Sequence, residues 1–330
     1  MNRAKLEVVR QAARLRLAYR PPLDWEGLIG FLAARATPGV ELVTASSYQR
    51  TIALGGKTGT IAVGRSTRKP VIDLEVRFPG SRVQPAIVER VRRMFDLDAN
   101  PAAIAKHLGH DPWLGPVMKR HPGLRTPGAW DGFELSVRAI LGQQVSVAAA
   151  TTIAGRLARR FGSPVRGESG LDRIFPTPAQ LAAAPIEEEG VIRSRAGAIR
   201  ALARAVMAGD LAFARAAPEA VTRALQALPG IGPWTAQYIA MRALGEPDAF
   251  LAGDLILRQR AGGCTARELE THAERWRPWR AYAVMLLWQG AKDAQMEMDE
   301  VGRLSPRSGH ARGDRRRPGR GQEHSRPPAR

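Results

Sequence analysis

The sequence contains 330 residues, more than the roughly 100–200 of one ordinary domain, so we expect two or three domains. Hydrophobic residues make up 44% of the chain, which excludes wholesale disorder, and no apolar run long enough to predict a membrane-spanning helix is present. The formal net charge of +19 favours a polyanionic partner, most often a nucleic acid.

The N-terminal segment, residues 1–18, has a charged side chain every few positions and lacks the apolar stretch of a signal peptide. We therefore expect the protein to remain in the cytoplasm. The same segment predicts a basic helical extension, which Pro21 and Pro22 would end. Asp24 is then a candidate N-cap for the helix that follows.

Residues 19–103 predict a small α+β domain. Residues 51–64 have the pattern of two strands around a glycine-rich turn. Residues 71–78 alternate strictly between apolar and charged side chains, as expected for a strand that is buried on one face. A helix follows, with apolar side chains at helical spacing at Ile87, Val91 and Phe95.

Residues 104–298 predict helices separated by proline and glycine breaks, and we find no convincing strand there. Residues 299–330 lack the apolar side chains of a core and predict a disordered, Arg-rich tail. The last thirty residues contain nine arginines and two acidic residues, which leaves a net charge of +12 on the other 300 residues. The tail is either a solvated end or a DNA-binding arm, and the sequence leaves both open.

The most informative motif is LPGIGPWT, residues 228–235, in which a helix ends and two glycines lie two positions apart. Pro233 then takes a first helical position. Glycines allow the backbone to approach a ligand closely, and the amides at the start of the next helix favour an anion. These features predict a helix-hairpin-helix that binds a DNA phosphate, with a simple turn between helices as the alternative.

Asp254 follows an apolar segment and a glycine, and it opens a helix about twenty residues after the hairpin. An aspartate at that position is often only an N-cap. It can also act in chemistry, because the helix dipole favours a negative charge there and a carboxylate can stabilise a cationic transition state. The sequence leaves both interpretations open.

Aromatic residues are concentrated after the hairpin, at Trp234, Tyr238, Trp276, Trp279, Tyr282 and Trp288. Trp234 and Tyr238 are four residues apart and share a helix face. Such residues either pack in a core, as we expect for Trp276 and Trp279, or form a stacking pocket for a flipped base. Residues 141–146, LGQQVS, interrupt an apolar helix with amides and predict either a kink or a turn that faces DNA.

Together these motifs resemble the bacterial 3-methyladenine DNA glycosylase II (AlkA) family of the helix-hairpin-helix DNA glycosylase superfamily. The resemblance covers about residues 19–290 and rests on segments that follow the order and spacing of the family: PPLDWEGLIGFLAARA, RMFDLDANP, VRAILGQQVSV, LPGIGPWTAQYIAMRALG, DAFLAGDLILRQ and ERWRPWRAYAVMLLW. It implies an α+β fold, in which a small antiparallel-sheet N-terminal domain precedes an all-α glycosylase domain of two helical subdomains with a cleft between them.

The resemblance also implies roles for individual residues. Asp254 matches the catalytic aspartate of the family, and the base pocket would be lined by Trp234, Tyr238 and Trp288. A DNA phosphate would be held by Gly230, Gly232 and Thr235. A structural monovalent cation, Na⁺ or K⁺, would be bound by the backbone carbonyls of Gln226, Leu228 and Ile231.

Gln144 departs from the family pattern, because the best-known relative has a leucine there that wedges into the minor groove. The amide is therefore expected to contact DNA, either by filling the gap left by the flipped nucleotide or by contacting the orphan base. Bifunctional relatives carry a lysine where this chain has Trp234, so lyase activity is not expected. The single cysteine, Cys264, excludes a four-cysteine iron–sulfur cluster and an internal disulfide.

By this resemblance the protein is a monofunctional hydrolase of N-glycosyl bonds in base excision repair. It would flip alkylated bases such as 3-methyladenine and 7-methylguanine out of double-stranded DNA and excise them, leaving an abasic site. No cofactor is expected for catalysis. A monomer in the bacterial cytoplasm, associated with the nucleoid, is expected.

Other functions remain as alternatives. A non-catalytic DNA damage-binding protein would keep the hairpin and lose the acid, so the presence of Asp254 argues against it. A glycosylase for deaminated or oxidised bases is the second alternative. A fragment of a larger regulator is the third, with residues 1–18 as the remnant of a fusion, although no reactive-cysteine motif supports it. The range of lesions is not determined, because stacking pockets are permissive.

Overall fold

The computed structural model describes residues 12–80, 84–165, 170–213 and 216–304. The described residues up to Lys292 form one compact unit, and the described residues from Asp293 onward belong to a second unit. Across the described ranges, no helix has both the length and the apolar character needed to cross a membrane.

The first unit begins with five strands, β1 (Ala13–Ala18), β2 (Glu41–Val43), β3 (Ser47–Leu54), β4 (Lys57–Arg65) and β5 (Val71–Arg77). They form one antiparallel sheet with the order β1-β5-β4-β3-β2. The predicted hairpin is the β3–β4 pair, and its turn is Gly55-Gly56, where both residues have positive φ. The predicted alternating strand is β5, on which Asp73 and Arg77 are exposed while the apolar residues between them are buried.

The buried face of the sheet packs against two helices, α1 (Trp25–Ala33) and α2 (Gln84–Met94). As predicted, Asp24 caps α1, because its Oδ1 accepts a hydrogen bond from the backbone N–H of Gly27 at 2.8 Å. Trp25 and Phe95 stack inside this core with ring centroids 6.1 Å apart. The N-terminal domain is therefore a sheet covered by helices on one face.

The helical extension predicted for residues 1–18 is wrong where the structure describes it. Residues 13–18 form β1, an edge strand that pairs with β5 and places Leu15 opposite Leu74. The short sequence ARLRLA alternates basic and apolar side chains, which suits an edge strand with one face in the core and charges on the other. Residues 1–11 lie outside the described residues.

The rest of the described chain is helical, apart from two isolated bridges. The helices are α3 (Pro101–Leu108), α4 (Gly115–Arg120), α5 (Gly132–Leu141), α6 (Val147–Phe161), α7 (Pro178–Leu181), α8 (Arg193–Ala208), α9 (Pro218–Gln226), α10 (Pro233–Ile239), α11 (Leu255–Arg260), α12 (Ala266–Ala273) and α13 (Arg280–Leu304). A π-helical segment, Ala240–Leu244, continues α10.

These helices build two further hydrophobic cores. One contains buried residues of α5 to α10. The other joins α3 and α4 to the π-helical segment and to α11, α12 and the first part of α13, although about 120 residues separate these groups in sequence. Tyr238 and Leu244 pack against both cores, so the helix after the hairpin lies at their junction.

Two predicted boundaries are displaced. The boundary between residues 103 and 104 falls inside α3, because Asn100 caps this helix and Ile104 and Leu108 pack with the later helices. The helical region therefore begins at about Asn100. Residues 299–304, which were predicted to belong to the tail, form the end of α13. Residues 305–330, the rest of the predicted tail, lie outside the described residues.

Candidate active site

The predicted hairpin connects the end of α9 to the start of α10. Gly230 has φ = +80°, and a Cβ there would lie 3.0 Å from the Cβ of Ala198, so the turn itself requires glycine. Gly232 has φ = −84°, and a Cβ there would meet no protein atom within 4 Å. Neither the backbone conformation nor the neighbouring described residues therefore require glycine at 232. The space beside it is open, and a ligand backbone can approach there.

Asp254 caps a helix, and its carboxylate also contacts a cluster of aromatic side chains. Its Oδ1 accepts a hydrogen bond from the backbone N–H of Leu257 at 3.0 Å, which caps α11. The indole Nε1 of Trp234 donates to Oδ2 at 3.1 Å, and the indole Nε1 of Trp288 donates to Oδ1 at 3.3 Å. Three N–H donors thus fix the orientation of the carboxylate, which remains half-buried.

The three aromatic residues predicted for the base pocket lie together beside this carboxylate. Trp234 and Tyr238 stack with ring centroids 5.4 Å apart and planes 6° apart, and Tyr238 and Trp288 lie 6.3 Å apart with a tilt of 55°. All three are only half-buried. Trp276, by contrast, is 1% exposed in the core, as we expected for it.

The hydroxyl of Tyr238 faces a group of arginines that the sequence did not reveal. Arg242 donates to it at 2.8 Å, and the guanidinium groups of Arg242 and Arg35 lie 4.6 Å and 3.8 Å from the ring centroid of Phe31. Burial raises the pKa of Tyr238, but Arg242, Arg35 and Arg138 outweigh it, so the pKa lies below its ordinary value of 10.0. The side of the aromatic cluster at the Tyr238 hydroxyl therefore faces cationic side chains.

Two of these residues come from the N-terminal domain, since Phe31 lies in α1 and Arg35 directly follows it. Arg242 is 4% exposed and donates to the carbonyls of Pro127 and Gly128 as well as to Tyr238. Aromatic and arginine residues spread over 200 positions cannot be grouped from sequence spacing alone. The one sequence feature that pointed to Phe31 and Arg35 was the segment GFLAARA, residues 30–36, which belongs to the family resemblance.

Two apolar side chains lie exposed directly after the carboxylate. Leu255 and Ile256, in the first turn of α11, are 63% and 46% exposed. Charged or polar residues would be favoured at such positions on a helix that faces only water. Their exposure next to Asp254 indicates an apolar rim of the pocket.

Gln144 lies in the turn between α5 and α6, and it is exposed with φ = +54°. Apart from Asp96, it is the one non-glycine residue with positive φ among the described residues. A left-handed conformation is unfavourable for such a residue and persists only where neighbouring structure holds it. The polar segment LGQQVS is thus a turn between two helices. Its exposed residue, Gln144, has a strained backbone.

The carbonyls predicted to bind a monovalent cation belong to the end of α9 and to the hairpin. Gln226 is in the last turn of α9, where carbonyls lack helical donors. The Leu228 carbonyl accepts from the N–H of Ile231 at 3.3 Å and retains a second lone pair. Backbone carbonyls of this kind suit Na⁺ or K⁺. Within the described part of the chain, no group of three or more His, Cys, Asp or Glu side chains is arranged for a metal.

Comparison with known proteins identifies the family of the chain. Residues 14–131 match the model of the AlkA N-terminal domain, and residues 137–281 match that of the HhH-GPD superfamily of base excision DNA repair proteins. The DNA-3-methyladenine glycosylase 2 of Escherichia coli is 38% identical over 277 residues, which cover 82% of this chain and 95% of that protein. The chain belongs to the AlkA family. Its N-terminal sheet, from Arg14 onward, lies within the match to the first model, and its hairpin lies within the match to the second.

A Mycobacterium tuberculosis AlkA, called a probable bifunctional transcriptional activator/DNA repair enzyme, is 42% identical over 280 residues. The alignment covers 83% of this chain, and the chain spans 56% of the length of that relative. Among solved structures, the 3-methyladenine DNA glycosylase of Archaeoglobus fulgidus superimposes with a TM-score of 0.74 at 24% identity. It covers 85% of this chain and 98% of its own, and it establishes the fold alone.

Proposed function

We propose that this AlkA-family protein is a monofunctional DNA glycosylase that removes alkylated bases from duplex DNA and leaves an abasic site. One observation carries the proposal. The Asp254 carboxylate is held by the indole N–H groups of Trp234 and Trp288 at the start of α11, inside a half-exposed aromatic cluster. The Escherichia coli relative is a DNA-3-methyladenine glycosylase, which supports the same reaction here.

DNA binding would start at the hairpin. The amides at the start of α10 and the open space at Gly232 suit a phosphate oxygen. The net charge of +19 adds attraction for the DNA backbone. A cation on the carbonyls of Gln226, Leu228 and Ile231 would strengthen that phosphate contact. Gln144 would enter the duplex where the damaged nucleotide leaves it. The protein would act as a monomer on DNA of the bacterial nucleoid.

Substrate selection would rest on aromatic stacking. Methylation at N3 of adenine or N7 of guanine makes the base cationic, and an indole face attracts a cation by roughly 0.5–2 kcal/mol. The cationic side chains at the Tyr238 hydroxyl oppose this attraction on that side of the aromatic cluster. Selection therefore also depends on intrinsic reactivity, because an alkylated base is a better leaving group than an ordinary one.

In the chemical step, the N-glycosidic bond breaks and its electron pair leaves with the base. Positive charge then builds on the sugar, and the Asp254 carboxylate stabilises this oxocarbenium-like state. Water adds to the sugar carbon and loses a proton, which gives the free base and an abasic site. Trp234 and Trp288 keep both carboxylate oxygens oriented throughout.

The test is release of bases from methylated duplex DNA by the wild type and by Asp254→Asn. We expect 3-methyladenine and 7-methylguanine from the wild type and about a 100-fold or greater loss in the variant. Asp210→Asn is a charge-matched control, since Asp210 is an exposed residue of the loop after α8. Strand cleavage should appear only after alkali, as a monofunctional enzyme requires.

Tight binding of methylated DNA by the wild type without any base release would contradict the proposal. That result would favour a damage-binding protein, the alternative that the geometry around Asp254 argues against. Strand cleavage without alkali would instead contradict the monofunctional mechanism.

A further inference from the structure

The turn between α5 and α6 is tied to the hairpin by one side chain. The Nε2 of Gln143 donates to the carbonyl of Gly230 at 2.8 Å and to the Oγ1 of Thr235 at 3.1 Å. These contacts join residues 87 and 92 positions apart in sequence. A single amide thus contacts both ends of the hairpin, its turn and the first residues of α10.

Both acceptors are held firmly by their surroundings. Thr235 is 4% exposed, and its helix packs against α5 and α9. Gly230 has a left-handed backbone, and its Cα faces the side chain of Ala198 on α8 at close range. We call the contact of Gln143 with Gly230 and Thr235 the tether. Its acceptors belong to a rigid part of the helical core.

The residue next to the tether is Gln144. Its left-handed backbone, at φ = +54°, is unfavourable for a non-glycine residue, so neighbouring structure must hold it there. Gly142 and Gln143 are half-buried, whereas Gln144 is exposed. The two amides of this turn thus have opposite environments, one bonded to the hairpin and the other free to meet DNA.

We infer that Gln143 is a positioning residue that couples the hairpin to Gln144. The inference rests on the proposed function, in which the hairpin binds a phosphate and Gln144 occupies the gap left by the flipped nucleotide. Because Gln143 joins the two, phosphate binding fixes the depth and direction at which Gln144 enters the duplex. Gln143 itself contacts neither the lesion nor the reacting atoms.

Two substitutions remove the donor with little change in volume. Gln143→Met keeps the length of the side chain without a donor, and Gln143→Glu replaces the donor with an acceptor that faces the Gly230 carbonyl. Base release is measured under single-turnover conditions from two substrates that carry 7-methylguanine, one in a paired duplex and one in a one-nucleotide bulge. The bulged lesion has no partner strand base, so no gap has to be filled.

For Gln143→Met we expect release from the paired duplex to slow about 5- to 10-fold, the equivalent of one to two hydrogen bonds. Release from the bulge should change less than about 2-fold. Gln144→Ala should show the same selective defect, and adding Gln143→Met to it should have no further effect, because Gln143 acts through Gln144. Equal losses on both substrates, or additive losses in the double variant, would overturn the inference and assign Gln143 to the stability of the fold.

A second readout separates this inference from the proposed function. Fluorescence of 2-aminopurine placed next to the lesion reports unstacking without any bond cleavage. If the wild type unstacks the duplex but releases no base, the proposed function fails. In that case, the inference about Gln143 is supported if Gln143→Met lowers the fluorescence change to the level seen with Gln144→Ala. An unchanged signal in both variants would overturn the inference.

Discussion

The indole N–H of Trp234 donates to the carboxylate of Asp254 across 3.1 Å, although the two residues are 20 positions apart and lie on different helices. The ring of Trp234 also stacks on Tyr238. One side chain therefore forms part of the aromatic surface and at the same time orients the acid beside it.

This dual role predicts the effect of Trp234→Phe. The aromatic surface remains, but one donor to the carboxylate is lost, and a hydrogen bond to a charged group contributes about 1.5–3 kcal/mol. We expect kcat for 7-methylguanine release to fall about 10- to 100-fold, with little change in affinity for DNA that contains an abasic-site analogue. Trp279→Phe is the matched control, because Trp279 packs on Tyr282 instead. A loss of DNA affinity equal to the loss in kcat would show that the ring, rather than the N–H, is responsible.

The tyrosines should separate in a spectroscopic pH titration. The guanidinium groups around Tyr238 outweigh its burial and lower its pKa, whereas burial and Glu41 raise the pKa of Tyr48 well above its ordinary value. Burial and Asp96 also raise the pKa of Tyr282. We expect a phenolate absorbance step below pH 10 that disappears in Tyr238→Phe and persists in Tyr48→Phe. Persistence of the step in Tyr238→Phe would contradict the assignment.

Asp96 predicts an unusual dependence of stability on pH. Burial raises its pKa from 3.8 to about 6, despite hydrogen bonds from Tyr282 and from the Thr126 backbone. A carboxyl with a raised pKa favours the folded state when protonated. Its stabilising contribution is therefore complete below pH 3.8 and is lost as the pH rises through 6, by up to about 3 kcal/mol.

Asp96→Asn tests this directly, because both hydrogen bonds end on the same oxygen, Oδ2, which an amide oxygen can replace. Asn also tolerates the positive φ of this position. We expect the difference in unfolding free energy between variant and wild type to grow between pH 4 and pH 6, measured by urea denaturation. Asp210→Asn, at an exposed residue of the loop after α8, should leave the wild-type pH profile unchanged.

A buried ionic cluster joins the sheet to the helical region. Arg50 on β3 is 3% exposed and lies 2.6 Å from Glu134 on α5, and Arg138 contacts both Glu134 and Glu41. Removing Glu134 leaves Glu41 as the one carboxylate beside Arg50 and Arg138 in this cluster, so Glu134→Gln should lower the unfolding free energy by about 3–5 kcal/mol. The exposed pair of Asp73 and Arg16 is the control, and Asp73→Asn should change stability by less than about 1 kcal/mol. Similar effects of the two substitutions would contradict the importance of burial.

Several residues of the candidate site could be predicted from the sequence because they have a local signature. Asp254 opens a helix, Trp234 and Tyr238 are spaced i,i+4, and the hairpin glycines follow a helix end. The structure brings Trp288 to the same carboxylate, which spacing alone could not establish. The arginines behind Tyr238 had no signature, since their partners are up to about 200 positions away.

The error at β1 has a different cause. Residues 1–18 are rich in basic and apolar residues that form helices well in isolation, and only pairing with β5 makes residues 13–18 a strand. The alternation ARLRLA was present in the sequence, but it covers six residues and is bounded by segments that resemble a helix. The tether of Gln143 was missed for a similar reason, because an amide in a turn does not reveal the distant carbonyl that it will meet.

The shared core of α3, α4 and α13 has a consequence for how the molecule acquires its structure. Ile104 and Leu108 pack in the same core as Leu286 and Leu287. Many of the residues that lie between these two pairs in sequence form a different core. Closing such a long loop is entropically unfavourable and slows folding. We expect a fragment limited to residues 137–281 to lack a complete second core, because Ile104 and Leu108 precede it and Leu286 and Leu287 follow it. The segment that matches the HhH-GPD model should therefore not fold without the residues on both sides of it.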